Sequence, residues 1–356
     1  MLHQLQAVLR KRLRHPFMRS LWMSDTDQAD LQTTPEGCWW HQDAVAMGSA
    51  VTLDLWADDQ AEAAQAAAEV MRVLQRVDET MNAQRPFSEV ARINRDAAHG
   101  SVPISDELFR LLQRALKLAV ATRGAFDITY TASGRPLDAH TGTIQRELHS
   151  REVLPGIGSS HVELDEWTQT VRFRHRATHI DLAGLARAHA VDQAALRLKR
   201  LGIQHACLSA GGDSRVIGDR RGRPWSLGIR DPHAENELVA VLPLTEVSVS
   251  SSGDHERSLH HGGRRIRRLI DPRTGQPAHD TASVTVLAAD GVTAEAASKM
   301  LFALGAGQGL ARLPWLPGVE AVVISADGEL HATAGLDLRH ATELGRPVDR
   351  SLPSVQ

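Results

Sequence analysis

An α+β fold is what this sequence predicts, and three observations predict it. Short β-branched or alternating segments crowd the second half of the chain, between Thr170 and Ser325. Only two helical patterns lie among them, Ala186 to Leu201 and Ala294 to Leu304, too few for regular βαβ winding. The first half carries two strong helix signals of its own.

The elements follow in order. Val51, Leu53 and Leu55 alternate within Val45 to Trp56, which predicts one half-buried strand. Gln60 to Met81 is alanine-rich and places Ala64, Ala68, Met71, Leu74 and Val77 on one face, a helix. Asp106 to Thr122 is a second helix, with Ser105 as N-cap, acids in the first turn and Gly124 past its end. From Ser133 to His161 the chain is rich in Gly, Pro, His and Arg without a period and reads as a long loop. Strands are then expected at Thr170 to Phe173, His179 to Leu182, His205 to Ser209, Trp225 to Ile229, Leu238 to Leu244, Val247 to Ser251, Arg267 to Ile270, Ser283 to Leu287 and Val319 to Ser325. Gly202 and Gly305 stop the two helices between them. The residues from about Glu343 read as a loose tail.

Composition narrows the function. With Lys+Arg 40 against Asp+Glu 43 the formal net charge is -3, which argues against a protein that coats nucleic acid. No apolar run approaches the ~18 residues a membrane span needs. Cys38 and Cys207 carry neither disulfide nor zinc spacing. Met1 to Trp22 is basic, without an acid, and Leu2, Leu5, Leu9 and Leu13 recur at helical spacing. Arginines interrupt it where a secretory signal needs an apolar core, and no lipobox cysteine follows. It reads as a tail or packing helix, with a membrane-surface anchor as the alternative. The location expected by default is therefore cytoplasmic, with membrane association or export as alternatives. Asp25 to Glu36 reads as a linker.

Small polar clusters close several strands: Ala210 to Asp213, Ser250 to Asp254, and Asp271 to Gly275, while Asp181 to Gly184 joins a strand to a helix. Successive Gly and Ser N–H groups and helix N-termini suit a phosphate. Each cluster is also ordinary turn chemistry, so spacing alone leaves turn and phosphate site both open.

Order and wording go further. Met47-Gly48-Ser49 stands where a family has MGT, and Ser88 to Asn94 reads SEVARIN. Gly124 to Thr129 (GAFDIT) follows, then Asp181 to Asp192 (DLAGLARAHAVD) against DLGGIAKGYAVD. Next come Ala210-Gly211-Gly212-Asp213, Pro224 to Pro232, Ser252 to Arg257, Ile270 to Gly275 and Ala294 to Gly305. In this order, from Ala44 to Leu338, the chain resembles the ApbE family of FAD:protein FMN transferases. The resemblance implies one T-fold-like unit over residues 44–340, with a mixed sheet core and flanking helices, a basic segment and linker before it (1–43) and a tail after it (341–356).

By that resemblance the protein uses FAD as substrate with Mg2+ on the pyrophosphate. A Ser or Thr hydroxyl of a target flavoprotein attacks the FMN phosphate and AMP leaves. The implied flavin-nucleotide residues are Met47, Ala125, Phe126, Asp127, Asp181, Arg187 and Ile270, with Gly211, Gly212 and Asp213 as a site-forming loop. Asp254, Asp271 and Arg268 fall near the reacting phosphate. Gly184, Glu295 and Lys299 occupy the metal positions.

The departures cluster there. Glu295 and Lys299 replace the family's DxxxT; the i, i+4 spacing keeps both on one helix face, but a protonated lysine has no lone pair for a metal. The Lys299 ammonium then either stands where the cation would or forms a plain helix salt bridge. Gln84 replaces a tyrosine, Arg268 a histidine and Arg187 a lysine. Arg264, Arg265, Arg267 and Arg268 either bind the pyrophosphate or form a charged edge that discourages sheet pairing. The alternative reading is a catalytically weakened FAD-binding protein, a flavin carrier or regulator; hydrolysis of FAD by water is a third. The 18 histidines show no metal-ligand spacing and read as surface or loop residues.

Overall fold

The computed structural model describes residues 37–130, 156–234, 237–253, 259–261, 264–266, 271–274, 278, 280–336 and 338–340. The N-terminal helix and linker, most of the long loop after Ser133, the strand at Arg267 to Ile270 and the tail lie outside the described residues. In chain order a hairpin of β1 (Cys38–Ala46) and β2 (Ser49–Ala57) precedes α1 (Gln60–Met81) and α2 (Glu89–Asp96). The short β3 (Val102–Pro103) leads into α3 (Asp106–Ala121), and β4 (Val162–Asp165) and β5 (Thr170–Phe173) follow. α4 (Ala183–Arg200) comes before β6 (Ala206–Ala210), β7 (Asp213–Ile217), β8 (Trp225–Arg230), β9 (Leu238–Leu244) and β10 (Ser248–Gly253). The rest is β11 (Leu259–His261), β12 (Arg264–Ile266), β13 (Thr281–Ala288), α5 (Gly291–Leu310), β14 (Glu320–Ser325), β15 (Leu330–Ala332) and β16 (Arg339–His340).

Eight strands form one sheet, ordered β1-β2-β6-β7-β10-β13-β14-β15. Side-chain alternation sorts its two faces. Leu208 of β6, Val284 and Val286 of β13, and Ala321 and Val323 of β14 join the core beneath the helices. Their neighbours Cys207, Leu287, Val322 and Ile324 join a second core, with Trp225, Leu227, Ile229 and Leu242 of the small sheet β16-β9-β8. Helices, large sheet and small sheet therefore make three layers.

The α+β reading with a sheet core and flanking helices is what the structure has. The expected mixed sheet differs in one respect: every pairing among the described strands is antiparallel. The stretch expected as one strand from Val45 to Trp56 is instead a hairpin, because Met47 and Gly48 take φ of 51 and 69. Two successive positive-φ residues make the tight turn that a right-twisted hairpin favours. The strand thus begins at Cys38, so the expected boundary between residues 43 and 44 falls inside it.

The predicted caps hold. Asp106–Ala121 is capped by the Ser105 hydroxyl, which accepts from the Leu108 N–H. Gly124 follows in the left-handed region, its N–H donating to the Ala119 carbonyl. α4 and α5 each begin before the expected residue. α5 starts at Gly291 on an Asp290 cap and runs to Leu310, yet Gly305 has φ 73 and ψ 173, so the predicted stop is a break inside it.

His179 to Leu182 is not a strand. The Asn94 amide takes the place of a neighbouring strand there: its Oδ1 accepts from the Ile180 N–H at 2.8 Å and its Nδ2 donates to the Ile180 carbonyl at 2.9 Å. The strand expected to end at Ser251 continues through Ser252 and Gly253 as β10, at the middle of the sheet.

Candidate functional site

α4 and α5 cross over the middle of the sheet, and small residues let them do so. A Cβ on Gly291 would sit 3.1 Å from the Ala188 carbonyl oxygen, and one on Gly184 only 2.0 Å from Glu295 Oε1. Gly184 thus lies in the first turn of α4 because the Glu295 carboxylate of α5 fills the space of its missing side chain. Asp181 starts that turn, its Oδ1 accepting from the Ala183 N–H at 2.9 Å.

Beneath the crossing, alternate residues of β10 point up at the helices. Ser248 donates to Asp192 Oδ1 at 2.9 Å, Ser250 lies 2.8 Å from Asp213 Oδ1 and 2.9 Å from Glu295 Oε2, and Ser252 accepts from Ser298 at 2.9 Å. All three serines are buried. Sequence reading ended the strand at Ser251, left Ser252 in a loop and gave the serines no partners. The signal that identifies them is their alternation, Ser248-Val249-Ser250, on a strand with a polar face.

Four charged groups meet here. Arg187 Nε donates to Asp213 Oδ2 at 2.7 Å, and Lys299 Nζ lies 3.4 Å from Glu295 Oε1 and 3.4 Å from Ser252 Oγ. Asp213 and Glu295 are buried, so two carboxylates are balanced by two cations within the protein. Ser250 has one proton to donate and two carboxylates to serve. Burial pushes the Asp213 carboxyl up to about 6; Arg187 opposes the rise and the nearby Glu295 charge adds to it. Once protonated, Asp213 donates to Ser250, and Ser250 donates to Glu295.

The β6–β7 turn brings backbone to the same place. Gly211 has φ 57, and a Cβ on it would meet Ser49 Oγ at 3.2 Å and Arg187 Nε at 3.3 Å. The turn Gly211-Gly212, the start of β2 and Arg187 therefore converge, and the half-buried Met47 lies at the adjoining hairpin turn.

A second cluster surrounds residues 122–129. Asp127 Oδ1 accepts from the Thr129 N–H and hydroxyl at 2.8 and 2.6 Å, and Oδ2 from the Ser159 N–H at 2.9 Å. Its carboxylate therefore ties the loop to the start of the following segment. Ala125 and Phe126 are buried in the core. Asp271 is buried and held by Arg273, whose Nη2 lies 2.6 Å from Asp271 Oδ2. Burial alone would raise its pKa, but the Arg273 hydrogen bonds outweigh that and hold it below the usual range. Arg273 Cγ is 3.7 Å from the Cβ position of Gly124, which joins Asp271 to this loop. The clusters touch through the Asp181 N–H, which donates to the Ile128 carbonyl at 2.9 Å.

Met47, Asp181, Gly184, Arg187, Gly211, Gly212, Asp213, Glu295 and Lys299 are thus one neighbourhood, with Ala125, Phe126, Asp127 and Asp271 beside it. Asp254, Arg268 and Ile270 lie outside the described residues, as do the side chains of Arg264 and Arg265. Gln84 is exposed and offers no ring for stacking.

Whether a divalent cation fits depends on the donors. Mg2+ demands near-octahedral oxygen ligands at roughly 2.0–2.1 Å. Among the described residues no group of three or more His, Cys, Asp or Glu could hold a metal ion. Glu295 Oε2 is taken by Ser250 and Oε1 faces an ammonium, which has no lone pair. The described residues do not fit the ion.

Comparison with known proteins bears on this arrangement. The ApbE family profile matches residues 47–323, from the β1–β2 turn through β14. A FAD:protein FMN transferase of Rhodobacter capsulatus is 33% identical over 256 residues, 70% of this chain, and this chain spans about half (49%) of that relative's length. One of Haemophilus influenzae is 30% identical over 68% of this chain and 73% of its own. The crystal structure of the ApbE protein of Thermotoga maritima superimposes with a TM-score of 0.74 at 27% identity, covering 83% of this chain and 97% of that one. Because that profile runs unbroken over the residues that form the hairpin turn, both crossing helices and the serine strand, the chain belongs to the ApbE family.

Proposed function

We propose that this chain transfers FMN from FAD to a Ser or Thr hydroxyl of a flavoprotein acceptor, releasing AMP. Relatives that bear the name FAD:protein FMN transferase support the reading. The observation that carries it is the pair of cations, Arg187 and Lys299, seated on the buried carboxylates Asp213 and Glu295 beside the Gly211 turn. Cations fixed in place neutralise phosphate oxygens without reorganising when charge moves in the transition state.

In this reading the acceptor oxygen bonds to the FMN phosphorus, the bond from that phosphorus to the bridging oxygen breaks, and AMP leaves with the bridging oxygen. The hydroxyl proton passes to a carboxylate of this chain, Asp254 or Asp271. Arg187 faces the phosphate and Asp213 positions it. Met47, Ala125, Phe126, Asp127, Asp181 and Ile270 border the flavin nucleotide, and the Gly211-Gly212 turn, whose Gly211 N–H is held by the Ala50 carbonyl, brings backbone close to it.

The test incubates the full chain with FAD and a flavoprotein domain carrying a candidate Ser or Thr. AMP is measured by chromatography and acceptor-bound flavin by in-gel fluorescence and mass. Stoichiometric AMP and covalent flavin are expected, with a rate about 100-fold lower for Arg187→Ala. AMP without modified acceptor would mean hydrolysis, and bound FAD without AMP would leave a carrier.

A further inference from the structure

The charge arrangement of the site does not match the chemistry of a metal centre. Lys299 and Glu295 sit four residues apart on α5, and an exposed pair at that spacing contributes little. This pair is not exposed: the Glu295 side chain is 2% accessible and that of Lys299 19%. The carboxylate is wedged against the bare backbone of Gly184, bonded to Ser250 on its other oxygen, and turned toward the ammonium. Ser252 lies 3.4 Å from the same Nζ, so carboxylate and hydroxyl converge on one point of positive charge. A divalent ion brought there would meet an ammonium instead of a ligand, at distances where like charges repel strongly in a buried site.

We propose that the Lys299 ammonium, seated on buried Glu295, is the cation this chain presents to the phosphates of its nucleotide in place of a divalent metal ion. An ammonium is a compact charge with three donors and no need for six oxygens, and it serves phosphate as a point charge. Glu295 holds the stem in place, Ser252 takes one donor, and the partly open side carries the charge to the ligand. Arg187 supplies a second cation on Asp213, so the site neutralises a pyrophosphate with two fixed side chains. The inference rests on FAD being the ligand.

The test is an FAD titration of the full chain, followed by flavin fluorescence, in EDTA and again in excess Mg2+. Equal affinity in the two buffers is the expected result. Tightening by about tenfold or more in Mg2+ would overturn the proposal, because an ion would then be contributing what Lys299 is said to supply. The second arm uses Glu295→Asp with Lys299→Thr in one chain, checked for folding by circular dichroism. In EDTA this variant should lose about tenfold or more in FAD affinity and recover it with Mg2+. If it binds FAD in EDTA as tightly as the parent, Lys299 is not the counter-cation. No FAD binding by the parent in either buffer would sink the flavin reading itself, and this inference with it, an outcome distinct from Mg2+ dependence.

Discussion

Arg187 donates from Nε to Oδ2 of Asp213 at 2.7 Å, and the carboxylate it meets is 1% accessible. Breaking such a pair leaves a buried charge without compensation, which costs roughly 3–5 kcal/mol. Arg187→Ala should therefore lower stability by about 3 kcal/mol at pH 8, read by urea unfolding. The loss should shrink at pH 5, where Asp213 is protonated. A loss of equal size at both pH values would show that the ion pair is not what Arg187 contributes.

Asp213 also sets a pH dependence of its own. Its folded pKa is about 6 against an ordinary 3.8, so the folded chain holds the proton more tightly than the unfolded one. The contribution to stability is greatest below the unfolded value, falls as pH rises from about 4 to about 6, and is flat above that. Two units correspond to an upper bound of about 3 kcal/mol. Subtracting the urea-unfolding profile of Asp213→Asn from that of the parent should leave this slope, confined to that window. A difference profile that is level, or rises with pH, is the contrary result.

Gly184→Ala sets a clash against a helix preference. Alanine gains about 1 kcal/mol over glycine inside a helix. The added methyl would lie 2.0 Å from Glu295 Oε1, in a buried contact where overpacking typically costs about 1–3 kcal/mol. Net destabilisation is expected, and Glu295→Asp in the same chain should relieve part of it by withdrawing the carboxylate one methylene. The measurement is a double-mutant cycle in urea. Simple additivity would mean that the two residues do not share the space the geometry gives them.

Asn94 acts on the site at one remove. Its amide makes both hydrogen bonds to the backbone of Ile180, a fully buried residue next to Asp181. Asn94→Ala orphans both groups and should cost about 2–4 kcal/mol, with faster hydrogen exchange at the Ile180 amide. Asn94→Asp keeps the acceptor and loses the donor, so it should fall between. Unchanged exchange at Ile180 would show that another group holds the segment.

Legibility in the sequence followed the range of the interaction. Ser105 and Gly124 announce a helix's ends because a cap is a local bond, and the two long helices of the first half follow from apolar spacing, whereas the two-turn α2 (Glu89–Asp96) is too short to show a period. The hairpin turn at Met47 escaped because a methionine at φ 51 carries no local signature, so two strands read as one. The segment around Ile180 read as a strand since it is extended; that its partner is Asn94, far off in sequence, is decided by packing alone. The family motifs marked Gly184, Arg187, Asp213 and Glu295, but not that Gly184 and Glu295 exchange volume, nor that Ser250 joins two carboxylates. Ser252 read as loop because polar residues usually are, and here a central strand is polar on one face.

That strand has a mechanical consequence. The hydrophobic term is non-directional and follows the area buried, so by itself it specifies a longitudinal setting less sharply than directed bonds do. Ser248, Ser250 and Ser252 instead engage teeth on both overlying helices, at Asp192, Glu295 and Ser298, and hydrogen bonds weaken steeply off their preferred line. The strand works as a rack that indexes α4 and α5 to one longitudinal setting. The hydrophobic layers on either side supply cohesion, and this row supplies alignment, so Arg187 of α4 meets Asp213 and Lys299 of α5 meets Glu295 by the same device that locks the helices in place.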